Sequence, residues 1–533
     1  MRMKLTTLLA FAGLFVVALA ANAVLPSAAV VGQTAANSGG QAGQDGWGSP
    51  VAVTNNRLEN VTWLTNGHKV VYGAGGVGHV VWYDQAGDAV YYKRFYPGSG
   101  WSKELQLAKT AGLSYPSIAL DSDGSTIHVV WRMWKHVGTT NFHVYYWKCV
   151  VTGPGTGGWV GVATDLCSNA SGNDHLDPSI ACGPNHQVAV SWWERGGYPN
   201  WVSSVGFREY AGGSWQPQAT IAGPMSGYMY CPSVAINASG KVFVAYYGSP
   251  WLQNRDSFHV YVSSRIGGVW QSWENVTSSV GYPDSFITPH IDVDPLTGDP
   301  HVVCHSYSIA VSGIDTSRFY HIYHTYYDGS GWTVPAMISD PGVQLSTAPS
   351  MAFTSDGAAQ VIWGEGAPSF GIVYSVRNPS TGAWSTPSCV TSNSSYRHSG
   401  SSIAVAPGGV LQAIWTRYDA TARYPYQIWG SSYSGSFGGP MAGKTATPLG
   451  LALDVSPNPL SREGAVNYSL PVAANVSLKL YDIGGAMVRT VTAGQAAAGS
   501  HTAALSRQGL ARGAYILKLE AGGYRLTSKL VVE

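Results

Sequence analysis

Pro116-Ser-Ile-Ala-Leu120, followed by Ile127-His-Val-Val-Trp131, decides the fold because it recurs. Copies stand at Pro178-Ser-Ile-Ala-Cys182 with Val188-Ala-Val-Ser-Trp192, and at Pro232-Ser-Val-Ala-Ile236 with Val242-Phe-Val-Ala-Tyr246. Others are Pro289-His-Ile-Asp-Val293 with His301-Val-Val-Cys304, Pro349-Ser-Met-Ala-Phe353 with Gln360-Val-Ile-Trp363, and Ser401-Ser-Ile-Ala-Val405 with Gln412-Ala-Ile-Trp415. A weaker copy precedes them, Lys69-Val-Val-Tyr72 with His79-Val-Val-Trp82. Within each unit a tight turn such as Asp121-Ser-Asp-Gly124 joins the two runs. A Tyr- and Val-rich third run and a Gly-rich turn into a fourth follow, as at His143-Val-Tyr-Tyr-Trp147 and Gly158-Trp159. Short runs at even spacing, with one aromatic motif per unit, predict four-stranded blades. One such sheet cannot bury both faces, and a ring of them can. The expected fold is all-β: a β-propeller of about seven blades over residues 47–440.

Gly46-Trp47-Gly-Ser-Pro-Val-Ala-Val-Thr54 reads as a fourth strand with no blade before it, suited to closing the ring on the last blade. The rival reading gives that strand to Phe437-Gly-Gly-Pro.

The turns before the fourth strands resemble the bacterial neuraminidase repeat (BNR), or Asp-box, of sialidase-like propellers. Asp328-Gly-Ser-Gly-Trp332-Thr333 is the best copy. The resemblance covers roughly residues 47–440 and implies a fold. The Arg-Ile-Pro segment and carboxylate-clamping Arg triad of sialidases have no counterpart by motif here, so sialidase activity is not implied.

From about residue 445 the pattern changes. Leu451-Ala-Leu-Asp-Val455, Val466-Asn-Tyr-Ser-Leu470, Val476-Ser-Leu-Lys-Leu-Tyr481 and Gly513-Ala-Tyr515-Ile-Leu-Lys-Leu519 alternate as strands, giving about seven in a small immunoglobulin-like β-sandwich over 451–533, after a linker at 441–450. Ser456-Pro-Asn-Pro459, Tyr481-Asp-Ile-Gly-Gly485, Leu510-Ala-Arg-Gly513-Ala-Tyr515 and Lys529-Leu-Val-Val532 are similar to the type A sorting domain of type IX secretion. That resemblance implies the secretion machinery as a partner and passage across an outer membrane. The other end agrees. Arg2 and Lys4 precede an apolar run from Leu5 to Ala20 and Ala21-Asn22-Ala23, which predicts a cleaved signal peptide at 1–23, then a flexible leader at 24–46. The expected location is secreted or on the outer cell surface, with no transmembrane span in the mature chain.

Net charge is +1 and only 11% of residues are charged, which gives no footprint for nucleic acid. No Cys-x-x-Cys, His-Glu-x-x-His, Gly-x-Ser-x-Gly or phosphate-loop motif occurs, so neither metal nor cofactor is expected. Asp121-x-Asp123-Gly124 reads as a turn rather than a calcium loop. Six cysteines in an exported chain permit disulfides, Cys149 with Cys167 and Cys182 with Cys231 being the first pairings to examine.

A site needs chemistry that differs between blades, whereas packing residues repeat. The positions just past the second-strand aromatic differ: Tyr83, Asp84, Arg132, Trp193, Glu194, Tyr247, His305, Glu365 and Arg417, with Thr416 beside them. They are the candidate ligand-binding set. The histidines His79, His128, His301, His143, His259, His321 and His324 recur near second and third strands, where half-buried strand positions or acid–base chemistry could explain them. The expected function is non-enzymatic recognition of glycan or protein; the alternative is a polysaccharide-degrading enzyme, hydrolase or lyase.

Overall fold

The computed structural model describes residues 46–433 and 452–533, apart from short stretches at 55–58, 64–65, 98–99, 136–140, 154–155, 168–171, 197–202, 226–227, 250–257, 279–284, 313–314, 367–370, 392–395, 424, 471–473, 498 and 522–523. The signal peptide, the linker and Phe437, together with all of the leader but Gly46, lie outside the described residues. Among the described residues seven antiparallel sheets succeed one another along the chain, each running from a first strand outward to a fourth. Their first strands include Val70–Tyr72, Ser117–Leu120, Asp174–Cys182, Tyr228–Ile236, Ser285–Val293, Ser346–Phe353 and Arg397–Val405. Each first strand packs on those of its two neighbours, and the seventh packs on the first, so the ring closes as a β-propeller. Blades are numbered 1 to 7 in this order.

Closure uses the start of the propeller. Val51–Ala52 pairs with Tyr426–Tyr433, the third strand of blade 7. Trp47 bridges Tyr433, with its ring edge-on to Tyr374 and Tyr433 at 5.5 and 5.4 Å.

The repeated second-strand residues Trp82, Trp131, Trp192, Tyr246, Cys304, Trp363 and Trp415 are all buried between blades, at most 1% exposed. The recurrent Pro of the first run has a distinct cause. In blades 3 to 7 the first-strand ladder slips by one residue. The extra residue takes positive φ at Asp177, Cys231, Thr288, Ala348 and Gly400. In four of them it immediately precedes the Pro, so the imino acid sits where the ladder is already interrupted and removes no hydrogen bond.

The axis is filled by the segment before the first strand of blade 1. Asn66 Nδ2 donates to the carbonyls of Asp177 and Pro232, both at 2.9 Å, and Ser179 Oγ donates to Asn66 O. His68 packs edge-on against His290, and Lys69 Nζ donates to Pro116 O at 2.5 Å. Asn66–Lys69 thereby touches blades 2, 3, 4 and 5, and Lys69 N–H reaches Ser402 of blade 7.

The C-terminal part forms a three-stranded and a four-stranded sheet around its own core of Val466, Leu478, Leu480, Leu517, Leu519 and Leu530. Ser456-Pro-Asn-Pro459 is tied to the last strand: Asn458 Nδ2 donates to Lys529 O and Asn458 Oδ1 accepts from Val531 N–H. Tyr515 OH donates to Ala511 O, a corner typical of immunoglobulin-like sandwiches.

Candidate functional site

All nine candidate residues lie at one end of the blades, but strand alternation divides them. Successive side chains point to opposite faces of a sheet. Tyr83, Arg132, Trp193, Tyr247 and His305 directly follow the packing residue; Asp84, Glu194, Glu365 and Arg417 come one later and share its face. The later set does structural duty in three of four cases. Asp84 accepts the backbone N–H groups of Glu59, Ala86 and Gly87. Glu194 Oε1 accepts from Trp192 Nε1 and Glu365 Oε1 from Trp363 Nε1, both at 3.2 Å. Arg417 differs: its guanidinium lies over the rings of Tyr396 and Trp429, at 3.5 and 4.1 Å from their centroids. With Asp419, Arg423, Gln427 and Trp429 it lines a cavity of about 140 Å³.

The earlier set meets residues turned toward the axis by the bulges. Arg132 Nη1 stands 3.3 Å from Asp177 Oδ1, its Nε donates to Leu113 O, and its plane covers Tyr115 at 4.7 Å. Cys231 Sγ lies 3.7 Å from Asp177 Oδ2, and Tyr247 packs on Tyr230 at 5.3 Å. Tyr83, Tyr115, Arg132, Asp177, Cys231 and Tyr247 therefore form one arc across blades 1 to 4, beside Lys69. Burial pushes the Asp177 carboxyl up, against the pull of Arg132. Burial raises Tyr115 to about 12 despite Arg132, and lowers Lys69 to about 7 against the attraction of Asp177. His305 stands apart, its Nδ1 accepting from Thr288 OH at 2.6 Å, and burial lowers it to about 3. Asp177 was not singled out from sequence, and Cys231 only as a disulfide candidate; the recurrent residue-before-Pro position was their signal.

Half-buried aromatic pairs edge the same face: Trp63 with Tyr426 at 5.6 Å, Trp134 with Phe142 at 4.8 Å, Trp193 with Tyr230 at 4.7 Å and Tyr307 with Tyr320 at 5.2 Å. Arg195 lies over Trp193 and pairs with Asp174.

The other motifs resolve as packing. His79 Nδ1 meets Tyr92 OH at 2.6 Å, His128 Nδ1 meets Tyr146 OH at 2.7 Å, and His301 Nδ1 meets His324 Nε2 at 2.9 Å, each linking second to third strand within a blade. Asp123 accepts the N–H groups of Ser125 and Thr126, as a turn residue does. None of the six cysteines forms a disulfide, which corrects the suggested pairings. Cys149 instead meets Arg94, and Cys167 belongs to the seam between blades 2 and 3.

Residues 454–533 match the family of secretion system C-terminal sorting domains. The chain therefore carries a sorting domain that addresses it for secretion or the cell surface, and no helix among the described residues is long and apolar enough to cross a membrane. No curated protein matches the chain. Among solved structures, a polysaccharide lyase of family PL25, an ulvan lyase, is similar with a TM-score of 0.51 at 11% identity, over 71% of this chain and 94% of that one. An α-L-arabinanase from Penicillium chrysogenum gives a TM-score of 0.43 at 12% identity, over 60% and 92%. An intramolecular trans-sialidase from Ruminococcus gnavus gives 0.39 at 9% identity, over 60% and 93%. At such identities the likeness to the lyase concerns the propeller fold alone.

Proposed function

We propose that this exported propeller recognises glycan on the aromatic-edged face. The observation that carries the reading is the set of half-buried ring pairs at the strand ends, Trp63–Tyr426, Trp134–Phe142, Trp193–Tyr230 and Tyr307–Tyr320, interleaved with Arg132, Arg195 and Arg417. Flat rings offer large apolar contact at small entropic cost, and guanidinium groups add charge and directed donors for polar or anionic sugars. The Arg417 cavity, about 140 Å³, is small beside the roughly 300–1,000 Å³ of enclosing ligand pockets, which suits surface stacking rather than engulfment.

The convergence of Arg132, Asp177, Tyr115 and Tyr247 favours a second reading, a polysaccharide-degrading enzyme. Proton abstraction near neutral pH needs a base whose pKa lies near the operating pH. Burial drives both phenols upward instead, Asp177 is occupied by Arg132, and Lys69, brought to about 7, is held on the Pro116 carbonyl. Recognition is the better fit.

The test is affinity electrophoresis through gels containing neutral or uronate-bearing polysaccharides, comparing wild type with a folded Trp63→Ala, Trp193→Ala, Tyr307→Ala triple variant. Retardation of wild type, lost in the variant, is expected. No retardation in any gel, or equal retardation of both proteins, overturns the reading. Release of unsaturated or reducing ends by wild type transfers the assignment to the enzyme.

A further inference from the structure

The seam between blades 2 and 3 holds a polar cluster that recognition does not use, in which Asp165 meets Lys135 Nζ and His143 Nδ1, both at 3.0 Å. His143 opens the third strand of blade 2 and Asp165 lies on that blade's outermost pairing, while Cys167 closes the turn after it. His143 Nδ1, an Asp165 carboxylate oxygen and Cys167 Sγ all lie within 4.8 Å of one another. His143 and Cys167 are buried, and Asp165 reaches the surface. Zinc holds sulfur at about 2.3 Å and nitrogen or oxygen at about 2.0–2.2 Å, so tetrahedral ligand atoms stand roughly 3–4 Å apart. The three donors already approach that spacing.

The second observation is His175, on the facing first strand of blade 3. It is 1% exposed, and its ring centroid lies 5.3 Å from that of His143. Its Nδ1 is 3.2 Å from Phe142 O, so the proton sits on Nδ1 and Nε2 presents a bare lone pair. That Nε2 has no hydrogen-bond partner among the described residues, although Glu194 Oε1 faces it at 3.7 Å. A lone pair facing a carboxylate in a dry seam is unfavourable without a cation between or beside them. Burial holds the Cys167 thiol well above its ordinary range, and the Val144 N–H, which donates to Cys167 Sγ at 3.3 Å, pulls only partly the other way.

We propose that this seam binds a zinc-class transition metal ion through His143 Nδ1, the Asp165 carboxylate and the Cys167 thiolate, with the fourth position left to water and the His175 ring packed beside His143. On binding, the thiol releases its proton to solvent and the ion ties the third strand of blade 2 to that blade's outermost pairing. The mixed nitrogen, oxygen and sulfur set favours zinc over magnesium or calcium, which take oxygen.

The test uses the full-length protein, stripped with chelator and titrated with Co²⁺ as an optical stand-in for zinc. One equivalent with a thiolate-to-metal charge-transfer band is expected, lost in Cys167→Ser, weakened at least tenfold in His143→Gln and displaced by Zn²⁺. Asp123→Asn, at an exposed carboxylate of the Asp121–Asp123–His186 group, should leave the band intact. Near-ultraviolet dichroism verifies that each variant keeps its packing. Absence of the band in wild type overturns the proposal whatever the variants do, as does a band that survives Cys167→Ser.

Discussion

The indole Nε1 of Trp363 donates to Glu365 Oε1 at 3.2 Å, and Trp192 donates to Glu194 at the same distance. Two residues along a strand share a face, so the pair forms without bending the chain. Blades 2 and 7 carry Met133 and Arg417 at the equivalent position, and there the indole nitrogens of Trp131 and Trp415 have no hydrogen-bond partner among the described residues. The glutamates that looked like ligand chemistry thus satisfy buried tryptophans.

Glu365→Ala should therefore cost about 1–3 kcal/mol, the penalty for a buried donor left unsatisfied. Glu365→Gln keeps an acceptor and removes a carboxyl whose pKa burial already raises, so it should cost less than the alanine change. Urea unfolding of the three proteins decides this; equal losses for Ala and Gln would remove the indole bond as the cause.

Acid should unfold the propeller well above the carboxylate range. Burial lowers His68 and His398 to about 4, and His79, His301 and His305 to about 3. Unfolded histidine titrates near 6.5. Between those values the unfolded state binds protons that the folded state refuses, so stability is fully present above pH 6.5 and falls as pH drops toward 4. Each histidine contributes about 1.4 kcal/mol per pH unit in that window. Tm measured from pH 7.5 to 5 should fall steeply, and a flat profile would contradict the burial.

Ring closure can be weighed at one side chain. Trp47 is 2% exposed between Tyr374 and Tyr433, whereas Trp273 is 43% exposed. Trp47→Ala should cost about 3–5 kcal/mol and Trp273→Ala far less. Thermal melts that lower both proteins equally would show that the first strand does not fasten the ring.

Deletion of residues 454–533 should leave the chain inside the outer membrane of a host with the matching machinery, because that segment is the sorting domain. Immunoblots of periplasm, surface and medium read the result, and unchanged surface or medium levels would refute the role.

The repeat made the propeller legible because every blade buries the same faces, and Trp82, Trp131, Trp192, Trp363 and Trp415 stand where that logic places them. The site was legible only to its end of the ring. Charge that varies between blades marked Glu194 and Glu365, yet their partners are indoles two residues away. Asp177, and the part Cys231 plays beside it, escaped notice because their direction comes from a bulge, a backbone event written only as a residue before Pro. The His143, Asp165 and Cys167 group escaped for another reason. Asp165 and Cys167 are neighbours two residues apart, and only the fold brings His143 beside them from another strand.

Blade 7 takes its outermost strand from Val51–Ala52, residues made before any blade exists. Among the described residues the ring takes no strand from after Tyr433, while the sorting domain keeps a separate core between Val455 and Val532. A protease cutting between 434 and 451 would thus leave every described strand of the propeller on one side and those of the address on the other. Synthesis has the opposite character: the last blade stays ragged until the chain's earliest propeller residues return to it, so the fold can be finished only once the whole circle has been made.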